Sequence, residues 1–100
     1  MSYEEMSDQE INFEVFHKSA SGYWDRELSA KVWGLLADKH DYCNNPADAW
    51  PIIIKNRISL SAYDNKDEGW FATTDTSFFV DHMNPLRAAM IIFLMMNGGD

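Results

Sequence analysis

Basic residues are scarce in this sequence. Its 100 residues include eight Lys and Arg against sixteen Asp and Glu, so the formal net charge is −8. The phosphates of nucleic acids and anionic membrane surfaces repel such a chain, and we therefore expect no direct binding to either. The same charge is compatible with an acidic protein that occupies the basic groove of a nucleic-acid-binding partner.

Cysteine is nearly absent, and long apolar runs are absent. Cys43 is the only cysteine, so no intrachain disulfide can form and nothing indicates an oxidising compartment. The acidic first residues lack the basic start and the apolar stretch of a secretory signal. The longest apolar run, Ala88 to Met96, is too short to span a bilayer, which takes roughly 20 residues. We therefore expect a cytoplasmic protein in which this run is buried.

The apolar fraction of 46% is too high for a disordered chain, and the length suits one small domain over residues 1–100. Three capping signals predict where its helices begin. Ser7 and Glu10 have the spacing of a capping box, in which each side chain accepts from the other residue's amide. Asn45-Pro46 and Asn84-Pro85 each place an N-cap asparagine before proline at the first helical position. The first helix is expected to end in the Ser19 to Gly22 stretch, and the last in the Asn97 to Gly99 stretch.

The central segments are more ambiguous. Residues 27–38 carry apolar residues at helical spacing, which favours a helix, but Gly34 interrupts the pattern and a short strand over Lys31 to Leu36 is the alternative. Pro51 cannot donate a hydrogen bond to Ala47, so Pro46 to Asn56 is predicted to form two short helical pieces. The apolar residues of this block are predicted to be core: Trp50, Ile52, Ile53 and Ile54.

Strand patterns follow the central block. Ile58 to Tyr63 alternates apolar and polar residues, as a half-buried strand does, and Asp64 to Gly69 is a polar turn. Trp70 to Thr74 is rich in strand-forming residues, so the two runs are predicted to form an antiparallel hairpin. Ser77 to Val80 is predicted to add a third, shorter strand.

The predicted fold class is therefore α+β, with an N-terminal helix, a central helical block, a small antiparallel sheet and a buried C-terminal helix. Arg87 is the only charged residue of that last helix. Because such a helix must be covered on every side, it is expected to lie centrally across the sheet or to be shared with a second copy in a homodimer.

No catalytic motif is present in the sequence. The five glycines are scattered and form no phosphate-binding loop before a helix. A zinc site would have to draw on His40, Asp41, Cys43 and His82, and a turn histidine and a buried thiol explain these residues better. A nucleophilic pair of Cys43 with a histidine has no local support. We therefore assign no catalytic residue, no metal and no cofactor.

The densest polar cluster precedes and enters the central block. It comprises Asp41, Asn44, Asn45, Asp48 and Trp50. Such residues could recognise a small molecule or a nucleotide together with Arg57 or Arg87, provided that all converge in one pocket. They are also the ordinary residues of caps and turns, and the two arginines are typical of buried or interface ion pairs.

The acids are concentrated at the start of the chain. Before the first base, Lys18, there are five acids and no Lys or Arg: Glu4, Glu5, Asp8, Glu10 and Glu14. This arrangement predicts a locally negative first helix, which is either a docking face for a basic partner, and in the extreme a DNA mimic, or a solvated surface that complements the helix dipole.

Three blocks of the sequence resemble the NinX-like proteins of lambdoid phages and prophages, which are small proteins of unassigned function. The blocks run from Tyr3 to Asn12, from Asp41 to Ile53 with Asn56 to Ser59, and from Asn84 to Ile91. The resemblance implies a phage or prophage accessory protein in a bacterial cytoplasm, and it carries over no catalytic residue.

These observations favour a non-enzymatic binder of a host or phage protein with a basic surface, and within that class an inhibitor of a nucleic-acid-handling defence system. One alternative is a protein that binds a small molecule or nucleotide through the Asp41 to Trp50 cluster. The other is an oligomeric structural or interaction subunit whose last helix mediates dimerisation.

Overall fold

A computed structural model of the chain describes residues 3–20, 25–74 and 78–97. Within these ranges the fold is α+β, which confirms the predicted class. A short 3₁₀ turn at Tyr3–Glu5 precedes the first helix, and another at Lys66–Glu68 lies within the hairpin connection. The helices and strands, in chain order, are α1 (Asp8–Ala20), α2 (Arg26–Leu36), α3 (Pro46–Asn56), β1 (Ser59–Ala62), β2 (Trp70–Thr73), β3 (Phe79–His82) and α4 (Pro85–Met96).

The predicted caps are confirmed. The Ser7 amide donates to Glu10 Oε1 at 2.8 Å, and the Glu10 amide donates to Ser7 Oγ at 3.1 Å, so the capping box is formed. Asn45 and Asn84 accept amide hydrogen bonds at the starts of α3 and α4. Each cap satisfies amides that have no partner within the helix, and the three helices therefore begin where their sequences predict.

The prediction of two helical pieces in the central block is wrong, because α3 runs unbroken through Pro51. Both Pro51 and Ala47 are exposed, so water can solvate the carbonyl that proline leaves without a donor. Ala49 and Ile53, one turn apart, are buried in the core and hold the helix on either side of the proline.

The continuous helix also corrects the predicted core. Ile53 is buried and Ile52 packs partly against the core, but Trp50 and Ile54 are 55% and 57% exposed. At about 3.6 residues per turn, a helix that turns Ala49 and Ile53 inward directs Trp50 and Ile54 away from the core.

Residues 27–38 are helical for most of their length, as α2, and the strand alternative is excluded. Asp25 caps this helix by accepting from the Leu28 amide at 2.8 Å. The inward face differs from the predicted apolar stripe, since Ser29 is fully buried while Leu28 and Leu35 are 43% and 76% exposed. The predicted loop at Ser21 and Gly22 lies outside the described residues.

The three strands form one antiparallel sheet in the order β1-β2-β3. In its register Leu60 is opposite Ala72, and Ala72 is opposite Val80. These three residues point to the same face, and Ala72 and Val80 are buried there. The hairpin is confirmed. The third strand runs two residues beyond its predicted end at Val80, and its predicted start at Ser77 lies outside the described residues.

Helix α4 is the centre of the fold. All its residues from Arg87 to Leu94 are buried, and it packs against α1, α3 and the sheet. The first of the two predicted placements, across the sheet, is therefore the observed one. Since this chain alone covers α4, the apolar surface that suggested a homodimer is already occupied. No helix in the described ranges is long and apolar enough to cross a membrane.

Gly69 is predicted to be essential to the hairpin. Its φ of +81° is in a region that side chains disfavour, and an added Cβ would lie 2.8 Å from the His82 carbonyl oxygen and 2.9 Å from Met83 Cα. We expect Gly69→Ala to lower the free energy of unfolding by about 2 kcal/mol or more, measured by urea denaturation.

Gly34 provides the matched control for that substitution. It lies within α2, and an added Cβ would meet nothing within 4 Å. Gly34→Ala should therefore leave stability unchanged or raise it by up to about 1 kcal/mol, because alanine has the higher helix propensity. Equal destabilisation by the two substitutions would contradict the steric account of Gly69.

Candidate functional site: the Arg87 network and the adjoining acidic surface

Arg87 is buried near the start of α4 and connects that helix to the beginning of the chain. Its side chain is 7% exposed, and its Nη1 donates to Asp8 Oδ1 at 2.6 Å. Its Nη2 donates to the backbone carbonyls of Met6 at 2.6 Å and Tyr3 at 3.2 Å. A buried guanidinium requires both a counter-charge and acceptors for its N–H groups, and the N-terminal segment supplies both.

Asparagine side chains extend this ion pair into a network. Asn44 Nδ2 donates to Asp8 Oδ2 at 3.1 Å and to Asp41 Oδ2 at 3.1 Å. Asn84, the cap of α4, donates to Asn44 Oδ1 at 3.0 Å and to the Cys43 carbonyl at 2.7 Å. The starts of α1 and α4 and the turn before α3 are thereby joined at one point, which we call the Arg87 network.

Asn12 completes the network from α1. Its Nδ2 donates to Asp41 Oδ1 at 2.9 Å, and its Oδ1 accepts from the Cys43 amide at 3.0 Å. No sequence pattern predicted a site role for Asn12. The available signal was its position, since a polar residue directly after the core residue Ile11 and three before Val15 lies on the inward side of the helix and must find partners there.

The electrostatics of Asp8 reflect these contacts. Burial raises the pKa of its carboxyl, but the hydrogen bonds from Asn44 and Arg87 and the positive charge of Arg87 outweigh burial and leave the pKa lowered. Asp8 is therefore ionised throughout the neutral range and balances the buried charge of Arg87.

A groove of about 480 Å³ lies beside the network. Residues of α1 form one wall, and the segment between α2 and α3 forms the other. Its lining is largely polar and comprises Asp8, Gln9, Asn12, Ala37, Asp38, Lys39, His40, Asp41, Asn44 and Asn45.

The structure brings only part of the predicted ligand cluster together. Asp41, Asn44 and Asn45 line this groove. Arg87 does not line it but binds Asp8, which does. Asp48 does not line the groove: its Oδ2 accepts from the Asp41 amide at 2.9 Å, and its Oδ1 lies 3.1 Å from His40 Nδ1. Burial raises the pKa of the Asp48 carboxyl, yet these two bonds lower it overall.

The other two members of that cluster lie elsewhere. Trp50 is on the exposed side of α3. Arg57 is the exposed C-cap of that helix, with a left-handed backbone at φ 55°. The convergence of all these groups that a small-molecule site requires is not observed.

The five N-terminal acids divide into two groups. Glu4, Glu5 and Glu10 are exposed, and Glu10 also serves the capping box. Asp8 and Glu14 each face an arginine, since Arg87 binds Asp8, and Arg26 binds both carboxylate oxygens of Glu14, with Nη1 to Oε1 at 3.0 Å. Arg26 also lies over the Phe13 ring, 5.1 Å from its centroid.

The nucleophilic candidates have no access to a substrate. Cys43 is fully buried, and burial together with the charge of Asp8 raises the pKa of its thiol to about 12. Ser29 lies 2.7 Å from His17 Nδ1, but it too is fully buried. Within the described part of the chain, no three His, Cys, Asp or Glu side chains are grouped as metal ligands.

A family model described as "Bacteriophage P22, NinX" matches residues 2–97 of the chain. The match confirms the resemblance seen in the three sequence blocks. The matched residues include both Asp8 and Arg87. No curated protein and no solved structure matches the chain.

Removing Arg87 should strongly destabilise the protein. Arg87→Met retains most of the side-chain volume but leaves Asp8 without its counter-charge and the Met6 and Tyr3 carbonyls without this donor. We expect a loss of about 3 kcal/mol in urea denaturation. Arg57→Met removes the same charge from an exposed site and should change stability by no more than about 0.5 kcal/mol. Equal effects of the two substitutions would contradict the proposed role of the network.

The contribution of Asp8 to the stability of the folded protein should depend on pH. A carboxyl with a lowered folded-state pKa stabilises the native state above its ordinary value of 3.8, and that stabilisation is lost as the pH falls through the folded-state value. Asp8→Asn should therefore be less stable than wild type at pH 7, and the difference should narrow progressively below about pH 4. Urea denaturation of both proteins over that pH range measures this difference in stability. A difference that does not change with pH would show that the charge of Asp8 does not stabilise the fold.

Proposed function

The chain belongs to the bacteriophage P22 NinX family and is thus a phage accessory protein, and we propose that it acts by binding a basic host or phage protein. The binding region is the N-terminal acidic surface, which we define as Glu4, Glu5 and Glu10 with Asp38 and Asp41 of the adjoining groove. Binding, rather than catalysis, is the role assigned to it.

The observation that carries this proposal is the charge left uncompensated at this surface. Among the described residues, Glu4, Glu5 and Glu10 have no salt-bridge partner, whereas the nearby Arg87 and Arg26 are engaged by Asp8 and Glu14. Lys39 is the single Lys or Arg that lines the groove. The field at this end of the molecule is therefore negative and favours encounter with a basic surface.

The Arg87 network and the capping box support the proposal because they position the backbone that carries Glu4 and Glu5 and the side chain of Glu10. Glu4 and Glu5 belong to the 3₁₀ turn whose Tyr3 carbonyl accepts from Arg87, and Glu10 is fixed by the capping box. Acids held in position before binding lose less conformational entropy on association, which strengthens binding.

The class of partner follows from the sign of the charge. Nucleic-acid-handling proteins expose basic grooves, and an acidic protein can occupy such a groove in place of the phosphates. We therefore propose a nucleic-acid-handling protein, such as a component of a host defence system, as the target. The small-molecule alternative is less favoured, because Trp50 and Arg57 do not line the groove. Four of the groove's polar side chains also already bond to one another, namely Asp8, Asn12, Asp41 and Asn44.

Charge neutralisation tests this proposal. The variant Glu4→Gln/Glu5→Gln/Glu10→Gln removes three charges while keeping the capping box, because glutamine also serves at that position. The matched control Glu27→Gln/Asp64→Asn/Asp67→Asn removes three charges from other exposed positions. Tagged wild-type and variant proteins would be used to capture partners from infected and uninfected host cells, with quantitation by mass spectrometry.

Wild type and the matched control should capture the same basic partner, and the N-terminal variant should capture at least about tenfold less. With the purified partner, affinity should fall as salt rises, since the screening length decreases from about 30 Å at 0.01 M to about 8 Å at 0.15 M. Equal capture by the N-terminal variant, or affinity independent of salt, would refute the electrostatic mechanism.

A further inference from the structure

A row of aromatic side chains crosses the outer face of the sheet. Tyr63 follows β1, Phe71 is on β2 and Phe79 is on β3. The ring centroids of Tyr63 and Phe71 are 5.0 Å apart, and those of Phe71 and Phe79 are 5.5 Å apart. The register explains the row, because Phe71 is opposite both Ser61 and Asp81, so Tyr63 and Phe79 are its diagonal neighbours.

This face is turned away from the core. Ala72 points inward to α4 and is fully buried, so Phe71, its neighbour along the strand, points outward. Phe79 is 55% exposed, although a buried position for a ring of this size would stabilise the fold. Tyr63 and Phe71 are half-buried beside it, so the row presents a contiguous apolar surface of the kind found at binding sites.

A carboxylate lies beside the aromatic row. Asp81 is exposed on the same face, and its Oδ2 accepts a hydrogen bond from the Tyr63 hydroxyl at 3.3 Å. Burial and the charges of Asp81 and Glu68 raise the pKa of that hydroxyl. The strands themselves contain neither Lys nor Arg. The face therefore combines flat π surfaces with a negative charge.

We propose that this aromatic face, consisting of Tyr63, Phe71, Phe79 and Asp81, binds an arginine side chain of a protein partner. A guanidinium group is planar, stacks on aromatic rings and donates hydrogen bonds to a carboxylate. The exposed Phe79 ring and the half-buried Tyr63 and Phe71 rings lie on the same face as the exposed Asp81 carboxylate. An ammonium group lacks the planar stacking surface, so arginine is favoured over lysine.

The charge of this face also argues against single-stranded nucleic acid. Aromatic residues on a sheet can stack bases, but the proteins that use them also supply a positively charged groove for the backbone. Here the charged group beside the rings is a carboxylate, which repels phosphate. The observations therefore favour a protein ligand.

This surface is separate from the N-terminal acidic surface. Helix α4 packs against α1 and also against the sheet, and the aromatic row is on the sheet face opposite α4. The inference thus goes beyond the proposed function, and each surface can fail its test while the other passes.

NMR titration of the full chain tests the proposal. The probe is a short blocked peptide of alternating glycine and arginine, and the comparison probe replaces each arginine with lysine. Two variants each remove one part of the face: Phe79→Thr, which keeps a strand-forming residue, and Asp81→Asn. Trp50→Gln, which removes an aromatic residue that is also 55% exposed, is the control. The same spectra report whether each variant is folded.

The arginine peptide should shift the resonances of Phe71, Phe79 and Asp81, and it should bind more tightly than the lysine peptide. Phe79→Thr and Asp81→Asn should each weaken binding by about two- to fivefold, the range expected of an exposed cation–π contact, and Trp50→Gln should not. In the N-terminal triple variant, the peptide should shift the resonances of the aromatic face as it does in wild type.

Three results would overturn the proposal: equal affinity for the two peptides, shifts that avoid the aromatic face, or unchanged binding by both face variants. A parallel titration uses oligouridylate. If it shifts the same resonances more strongly than the arginine peptide, the face is a nucleic-acid site and the proposal is wrong.

Discussion

The buried guanidinium of Arg87 constrains how the N-terminal segment packs against the last helix. A charge inside the most apolar helix of the chain carries a large desolvation cost unless a counter-charge and hydrogen-bond acceptors surround it. Asp8 and the carbonyls of the N-terminal segment fulfil these requirements, so the first residues must pack beside the start of the last helix. Arg87 Nε alone, among the buried side-chain polar atoms described, has no partner. The ion pair therefore specifies where the N-terminal segment lies as much as it stabilises the fold.

Helix α4 connects the Arg87 ion pair to the rest of the molecule. Its buried run from Arg87 to Leu94 is covered by α1 and α3 and by the inner face of the sheet. The two proposed binding surfaces lie outside this core, and they differ in chemistry. The N-terminal acidic surface is defined by carboxylates, whereas the outer sheet face presents aromatic rings beside a single carboxylate. Both favour a cationic protein ligand, which is consistent with a chain whose acids outnumber its bases two to one.

The helix starts were predictable because their caps are formed by residues close in sequence. Features that depend on contacts between residues far apart in the sequence were harder to predict. The capping box and the two Asn-Pro caps depend on residues close in sequence, so their amide partners follow from the sequence itself. The partner of Arg87 is 79 positions away, and only the fold brings Asp8 to it. Pro51 was misleading because its effect depends on exposure, which solvates the Ala47 carbonyl. The aromatic row was missed because its three members come from three segments and meet only through the register of the sheet.

Asp8 and Arg87 stabilise the fold as a pair. The most direct measurement is a double-mutant cycle of Asp8→Asn and Arg87→Met, with free energies of unfolding from urea denaturation at pH 7. We expect the two losses to be non-additive, with a coupling energy of at least about 1 kcal/mol in favour of the native pair. Additive losses would contradict the account, since they would show that Arg87 and Asp8 stabilise the fold independently.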